Sequence, residues 1–361
     1  MVTMDADENR FVALVDLDAF YASVETLEDS TLVGKPLLIG GSPTSRGVVA
    51  AASYEARKYG CHSAMPMSRA VKLCPIAVIL SPRFSLYHEY SQKVMALLRR
   101  ESYLVQQMSI DEAYVDLTSM AKTWDEAEGL AHRMQGRIRL DLGLPASVGL
   151  ASNKLVAKVA CETGKPEGFV VVRDGQESAF LDGLMVRALP GIGPQSAQKL
   201  RNSGFATLGQ IACASLHTMM NILGPYGAVI QRRARGEDPS PVTTDHETKS
   251  VSAEETFAED VSDGQSLAAE IERLSKRVAE SLSNHGLVAR TITLKLRNTE
   301  FLTITRSSSR DRSTADVEAI VADALHLLGV NWVDGDPVRL IGVGASNLRL
   351  VHATGQLTMD I

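Results

Sequence analysis

The chain has little cysteine, no long apolar run and no excess of positive charge. Its four cysteines, Cys61, Cys74, Cys161 and Cys213, stand singly without metal-ligand spacing, which fits a reduced, cytoplasmic setting. No apolar run approaches the length of a membrane span, so no membrane partner is expected. The opening Met1-Val2-Thr3-Met4-Asp5-Ala6-Asp7-Glu8 is acidic and lacks the apolar core of a signal peptide. Lys and Arg number 37 against 43 Asp and Glu, a net charge of −6. That balance argues weakly against nucleic acid, because a local basic groove can coexist with acidic outer faces.

What is present describes a soluble globular protein: 361 residues, 45% hydrophobic and 22% charged. Such a length suggests about two to four domains. Two stretches break the ordinary chemistry of strands. Val15-Asp16-Leu17-Asp18-Ala19-Phe20-Tyr21 and Ser109-Ile110-Asp111-Glu112-Ala113-Tyr114-Val115-Asp116 are apolar, β-favouring runs interrupted by carboxylates. Burying several acids together is costly unless a cation neutralises them. Mg²⁺ is the simplest candidate, a hard ion that shares its shell between carboxylates, phosphates and water. Two such ions clamp an in-line phosphoryl transfer. The strand period puts Asp16 and Asp18 on one face with Leu17 opposite. Asp111 and Glu112 are neighbours and can share a site only at a strand end or turn, which Ser109 permits.

These two segments, with Tyr54-Glu55-Ala56-Arg57-Lys58-Tyr59-Gly60 between them and Lys165-Pro166-Glu167-Gly168 after, closely resemble the Y-family translesion DNA polymerases, nearest the bacterial DNA polymerase IV branch. The resemblance runs from about Arg10 to the last residue, in the family's order and spacing. It implies an α+β, multidomain right-hand polymerase. The palm, 1–18 and 83–174, is ferredoxin-like; the fingers are 19–82; the thumb, 175–240, is helical; the little finger, 248–354, is an α/β module.

Local patterns agree with that outline. A helix over 87–100, strands over 103–108 and 113–117, a helix over 126–140, a strand over 146–150, a helix over 153–161 capped by Ser152, and a strand over 168–172 make a β-α-β-β-α-β palm with the first strand. Leu189-Pro190-Gly191-Ile192-Gly193-Pro194 is the signature of a helix-hairpin-helix, whose Gly191 and Gly193 let backbone N–H groups approach a DNA phosphate. Residues 241–247 have linker chemistry. A second β-α-β-β-α-β pattern follows: strand 249–256, helix 266–284, strands 289–297 and 302–306, helix 314–328, strand 338–347. In Arg290-Thr291-Ile292-Thr293-Leu294-Lys295-Leu296-Arg297 the alternation predicts one apolar and one basic face. Lys249, Arg306, Arg310 and Arg312 are expected to join Lys295 and Arg297 there, on the DNA backbone.

The resemblance implies site residues one by one. Asp16, Asp111 and Glu112 are the expected catalytic carboxylates, binding two Mg²⁺ ions with the Leu17 carbonyl, and Asp18 is a further helper. Tyr54, Arg57 and Lys165 hold the dNTP triphosphate. Tyr54 and Arg57 share a helical face, and a guanidinium suits phosphate oxygens. Lys165 sits in a turn where a solvent-exposed lysine is the ordinary expectation. Tyr21 is the steric gate against a ribose 2′-hydroxyl, with Phe20 packed against base or sugar. Ala51 stands where the family often has a hydroxyl, so one contact to the nucleotide is expected to be missing. The tail 355–361, with Gln356, Leu357 and Met359, resembles a clamp-binding peptide without its usual aromatic. The expected activity is low-fidelity, template-directed translesion synthesis on primer–template DNA by a monomer, without a proofreading exonuclease. The rival is a catalytically inactive DNA-binding repair scaffold of the same fold.

Overall fold

The computed structural model describes residues 10–244 and 247–351. The chain divides into two compact units, Met1–Asp245 and His246–Ile361.

In the first unit, β1 (Val12–Leu17) leads into α1 (Phe20–Glu28). Then come β2 (Leu37–Gly40), β3 (Val49–Ala52), α2 (Tyr54–Arg57), α3 (Met67–Leu73) and β4 (Val78–Leu80). These three strands form a small sheet in the order β3-β2-β4. The chain continues through α4 (Phe84–Glu101), β5 (Leu104–Gln107), β6 (Glu112–Asp116) and α5 (Trp124–Leu142). It goes on to β7 (Ala146–Ala151), α6 (Lys154–Gly164) and β8 (Phe169–Val172). The large sheet has the order β5-β6-β1-β7-β8. Its first four strands, with α4 and α5, make the expected β-α-β-β-α-β arrangement, and β8 is added parallel to β7 across α6.

Central β1 is buried along its whole length, as a strand covered on both faces must be. Ala13, Val15 and Leu17 pack with Phe20, Leu98, Met134 and Ile138 of α1, α4 and α5. Val12 and Leu14 pack with Leu155, Val156 and Val159 of α6. Asp16 continues the Val12–Leu14 parity and so emerges on the α6 side. Asn153, rather than the expected Ser152, caps α6: its side chain accepts Val156 N–H at 3.0 Å. The Ser152 hydroxyl is committed to Glu177.

The remainder of this unit is helical: α7 (Glu177–Asp182), α8 (Pro194–Asn202), α9 (Leu208–Cys213), α10 (Leu216–Leu223) and α11 (Tyr226–Ala234). The expected helix-hairpin-helix is reduced on its first side to a 3₁₀ turn, Val186–Ala188, because Pro190 disfavours helix in the residue before it. Gly191 takes φ 97°, and a Cβ there would meet Tyr226 Oη at 2.6 Å. Gly193 is the N-cap of α8, with Pro194 at its first turn.

The second unit runs β9 (Ser250–Val261), α12 (Gly264–Asn284), β10 (Leu287–Asn298), β11 (Thr303–Thr314), α13 (Val317–Asn331) and β12 (Val338–Leu350). The order of elements repeats the β-α-β-β-α-β of the large sheet in the first unit, yet the sheet order, β11-β10-β12-β9, differs. Ile271, Leu274 and Val278 of α12 and Ile320 and Ala324 of α13 pack with Ile292, Leu294, Ile341 and Val343. The strand expected to end at 306 runs on to Thr314, through Ser307-Ser308-Ser309-Arg310-Asp311-Arg312, which has no apolar alternation to reveal it. Helix α13 therefore starts at Val317, capped by Asp316, whose Oδ1 accepts Ala319 N–H at 2.8 Å.

Candidate active site

Asp16, the penultimate residue of β1, is the register partner of Glu112, the first residue of β6. Asp111 lies in the bend before that strand, its carbonyl accepting Leu17 N–H at 3.0 Å and its Oδ1 accepting the Ser109 hydroxyl at 2.5 Å. The strand end thus breaks the alternation as expected. All three carboxylate residues line one cleft of about 260 Å³, together with Leu17, Phe20, Tyr21, Tyr54, Arg57 and Lys165.

Like charges directly opposite in a sheet repel, and α6 answers them. Lys158 Nζ lies 2.5 Å from Glu112 Oε2, 3.4 Å from Asp16 Oδ2 and 3.2 Å from Glu162 Oε1. Lys165 Nζ lies 2.9 Å from Asp16 Oδ1 and 2.8 Å from Glu162 Oε1. Lys165, a triphosphate ligand by the resemblance, is thus not an ordinary solvent-exposed turn lysine but is withdrawn among the acids, its side chain 20% exposed. Burial raises the Asp16 carboxyl above its ordinary value against the pull of both ammoniums. Burial also opposes charge on Lys158 and Lys165, yet their acidic neighbours hold both above the usual lysine value. Sequence reasoning missed Lys158 and Glu162. Their signal was the spacing Lys154, Lys158, Glu162, one charged stripe along an otherwise apolar helix.

Among the described residues no three Asp, Glu, His or Cys side chains are grouped to close round one metal ion. The reason is visible: lysines clasp Asp16 and Glu112, and Ser109 holds Asp111. The donor set nevertheless fits a hard cation, since the cleft offers three carboxylates and burial disfavours the negative charge of Asp16.

Tyr54 and Arg57 do share a face of α2, the guanidinium lying 4.6 Å from the ring centroid. Arg57 Nε donates to the Ala52 carbonyl at 3.1 Å. Burial and the charge of Asp18 raise the Tyr54 phenol well above its ordinary value. Phe20 is a core residue, 3% exposed, that also lines the cleft. Tyr21 stacks on Tyr87 at 4.2 Å and 13°, and Tyr87 in turn donates to Glu25 at 2.5 Å. Ala51 and Ser63 also line the cleft. Asp18 keeps the face the strand period gives it, since it bonds Ser147, the register partner of Asp16, but its carboxylate does not line the cleft. The strand ends at Leu17 and Ala19 takes a left-handed φ of 44°, and the Asp18 carboxylate bonds Tyr54, Ser147 and the Glu167 N–H.

Comparison with known proteins agrees with this geometry. A family model described as impB/mucB/samB matches residues 15–162, and that of its C-terminal domain matches 248–359. A DNA polymerase IV from Streptomyces coelicolor is 43% identical over 92% of this chain and 70% of its own. Another from Methanoculleus marisnigri is 41% identical over 94% and 95%. The chain belongs to the Y-family DNA polymerases, in the DNA polymerase IV branch.

Among solved structures, a chimera of the Y-family polymerases Dbh and Dpo4 matches with a TM-score of 0.85 at 25% identity, over 94% of this chain and 99% of that one. An insertion ternary complex of Dbh DNA polymerase matches with a TM-score of 0.68 at 26% identity and the same coverage. Y-family membership implies a divalent metal cofactor in general. Among the described residues no helix is long and apolar enough to cross a membrane.

In the second unit of this Y-family chain, strand register sorts the expected DNA contacts. Lys295 and Arg297 lie on the open face of β10, opposite the side on which Ile292, Leu294 and Leu296 meet the helices. Lys295 faces Gly342, which faces Glu254. Across that bare glycine Lys295 Nζ reaches Glu254 Oε2 at 2.8 Å. Arg297 Nε donates to Thr303 Oγ1 at 2.8 Å, and Lys249 is exposed just before β9. Arg306 is the register partner of Leu294, so it falls on the helix side. Arg310 is there too, paired with Asp323 of α13, Nη2 to Oδ1 at 3.1 Å. Both correct the expected basic face, which is lined chiefly by Ser, Thr and Gly. Gln356, Leu357 and Met359 lie outside the described residues.

Proposed function

We propose that this template-directed translesion DNA polymerase carries its chemistry on Asp16, Asp111 and Glu112, which with the Leu17 carbonyl hold two Mg²⁺ ions. The reading is supported most directly by Asp16 and Glu112 in cross-strand register with a lysine ammonium between them. A site that gathers facing carboxylates around a cation suits phosphoryl transfer. Bound there, the ions would lower the pKa of the primer 3′-hydroxyl and stabilise the charge of departing pyrophosphate.

The chain's own side chains do the rest. The Arg57 guanidinium and the Lys165 ammonium are cationic donors on the cleft for triphosphate oxygens. Tyr54 supports the Arg57 plane through its ring. Tyr21, backed by Tyr87, presents a wall against a 2′-hydroxyl and thereby selects dNTPs. Residues 1–18 and 83–174 serve as palm, 19–82 as fingers, 175–240 as thumb and 248–354 as little finger, with 241–247 as linker. Backbone N–H groups near Gly191 and Gly193, with Lys249, Lys295 and Arg297, would track DNA phosphates without reading sequence. The tail 355–361 docks a sliding clamp in this reading, and a monomer suffices for the chemistry. The inactive scaffold has no support: every expected carboxylate is in place on the cleft.

Primer extension on undamaged primer–template with Mg²⁺ and each dNTP tests the assignment. Template-directed addition by the parent should vanish in Asp111→Ala and in Glu112→Ala. Full activity in either variant would remove that residue from the catalytic set.

A further inference from the structure

The buried Asp18 carboxylate, 2% exposed, is where three separate stretches of the first unit meet. Its Oδ1 accepts the Tyr54 hydroxyl from α2 at 2.9 Å. The Ser147 hydroxyl of β7 lies 3.1 Å from Oδ1 and 2.9 Å from Oδ2. Oδ2 also accepts the Glu167 backbone N–H at 2.8 Å. Ser147, itself fully buried, accepts the Gly168 N–H at 3.3 Å. A buried carboxylate must be hydrogen-bonded on most of its lone pairs to stay charged, and such charge-assisted bonds are short and directional. Here they are spent on Tyr54, Ser147 and the Glu167 N–H, and Asp18 itself does not line the cleft.

What the carboxylate fixes is informative. Tyr54 carries the Arg57 guanidinium on its ring, and the Glu167 N–H, held in a left-handed turn of φ 52°, lies two residues after Lys165. We propose that Asp18 is a positioning residue for the incoming nucleotide: one buried carboxylate that locks the Tyr54–Arg57 pair and the Lys165 loop into a single fixed spacing. The inference rests on the reading of Tyr54, Arg57 and Lys165 as triphosphate ligands. It assigns Asp18 a role different from that of Asp16, two residues earlier on the same strand exit. Ligands already held at one spacing need not be ordered when the nucleotide binds, so the frame is felt in affinity. A carboxylate shared by both sides therefore sets nucleotide affinity without touching the nucleotide.

Single-nucleotide addition by the full chain tests this, with dNTP and Mg²⁺ titrated separately. Asp18→Asn should raise the dNTP KM about ten-fold, the loss of a charge-assisted hydrogen bond, while kcat stays within about three-fold. The half-saturating Mg²⁺ concentration should not move. A raised Mg²⁺ requirement at unchanged dNTP KM would make Asp18 a metal ligand and overturn the inference. Asparagine strands buried donors and can unfold the chain, so Ser147→Ala and Tyr54→Phe, each removing one donor, are measured beside it. Each should raise the dNTP KM by a few-fold while the unfolding midpoint, lowered by the lost bond, stays above the assay temperature. Lys165→Ala separates the two levels of the argument. If it leaves the dNTP KM unchanged, the triphosphate reading fails and the inference with it. If it raises that KM while the variants at Asp18, Ser147 and Tyr54 do not, the positioning role alone is wrong.

Discussion

Asp16 and Glu112 stand opposite each other across the β1–β6 ladder, and the Lys158 ammonium touches both, at 3.4 Å and 2.5 Å. Two carboxylates in that relation repel, so the lysine makes the strand ends compatible with folding before any divalent ion arrives. The cluster is a charge balance in which a monovalent side chain holds the place of a cation.

That balance is testable through stability. Lys158→Ala should cost the metal-free chain about 2 kcal/mol, between the values for exposed and fully buried pairs. Mg²⁺ should then stabilise the variant more than it stabilises the parent, because it binds the folded carboxylates alone. Thermal unfolding in EDTA and again in Mg²⁺ measures both. Equal midpoints for parent and variant in EDTA would refute the charge balance.

Tyr21 meets the cleft as one ring of a stacked pair with Tyr87. Truncation by Tyr21→Ala should raise rNTP incorporation relative to dNTP by about ten- to 100-fold, the range a pocket wall contributes to discrimination. Competing rNTP and dNTP addition to one primer reads this ratio. An unchanged ratio would reduce Tyr21 to a core aromatic.

On β10 of the second unit, Lys295 is already paired with Glu254 while Arg297 donates to the Thr303 hydroxyl. Arg297→Ala should weaken DNA binding and lower the slope of log affinity against log salt by about one. Lys295→Ala should do less, and Glu254→Gln should strengthen binding by releasing the lysine. Salt titrations of DNA binding compare the three. A weaker Glu254→Gln complex would show that the glutamate does not hold Lys295 back.

Burial and the hydrogen bond to Glu25 push the Tyr87 phenol up to about 12 from an ordinary 10.0. The folded chain then keeps a proton that the unfolded chain releases, so this contribution is whole below about pH 10 and is lost as pH rises toward about 12. Tyr87→Phe cannot titrate and should remove that part of the alkaline decline. Urea midpoints of both proteins from about pH 9 to about pH 12 decide it: parallel curves would mean that Tyr87 does not titrate in this window.

Much of this molecule is readable locally. The carboxylates of β1 and β6, the β-α-β-β-α-β order of elements and the apolar face of β10 follow from strand and helix periods, which are properties of neighbouring residues. Element boundaries slip where the pattern is silent, as in the polar length of β11, or where two candidate caps adjoin, as at Ser152 and Asn153.

Other features depend on which segment lies beside which. Parity placed Asp18 with Asp16, and both do meet the β7 side at Ser147, but no local pattern shows that Tyr54 of α2 and the Glu167 N–H take up the Asp18 carboxylate. Arg306 reads as basic surface until the β10–β11 register sets it opposite Leu294. The two β-α-β-β-α-β modules follow the same order along the chain and still pair their strands differently. Thus the sequence by itself determined which residues carry the charge and the apolar surface. Only the tertiary structure decided that Lys158 and Glu162 join the acids and that Tyr54, Ser147 and the Glu167 N–H take up Asp18. The physical reason is that strand register and the docking of α6 are set by contacts between residues far apart in the chain, which no local period encodes.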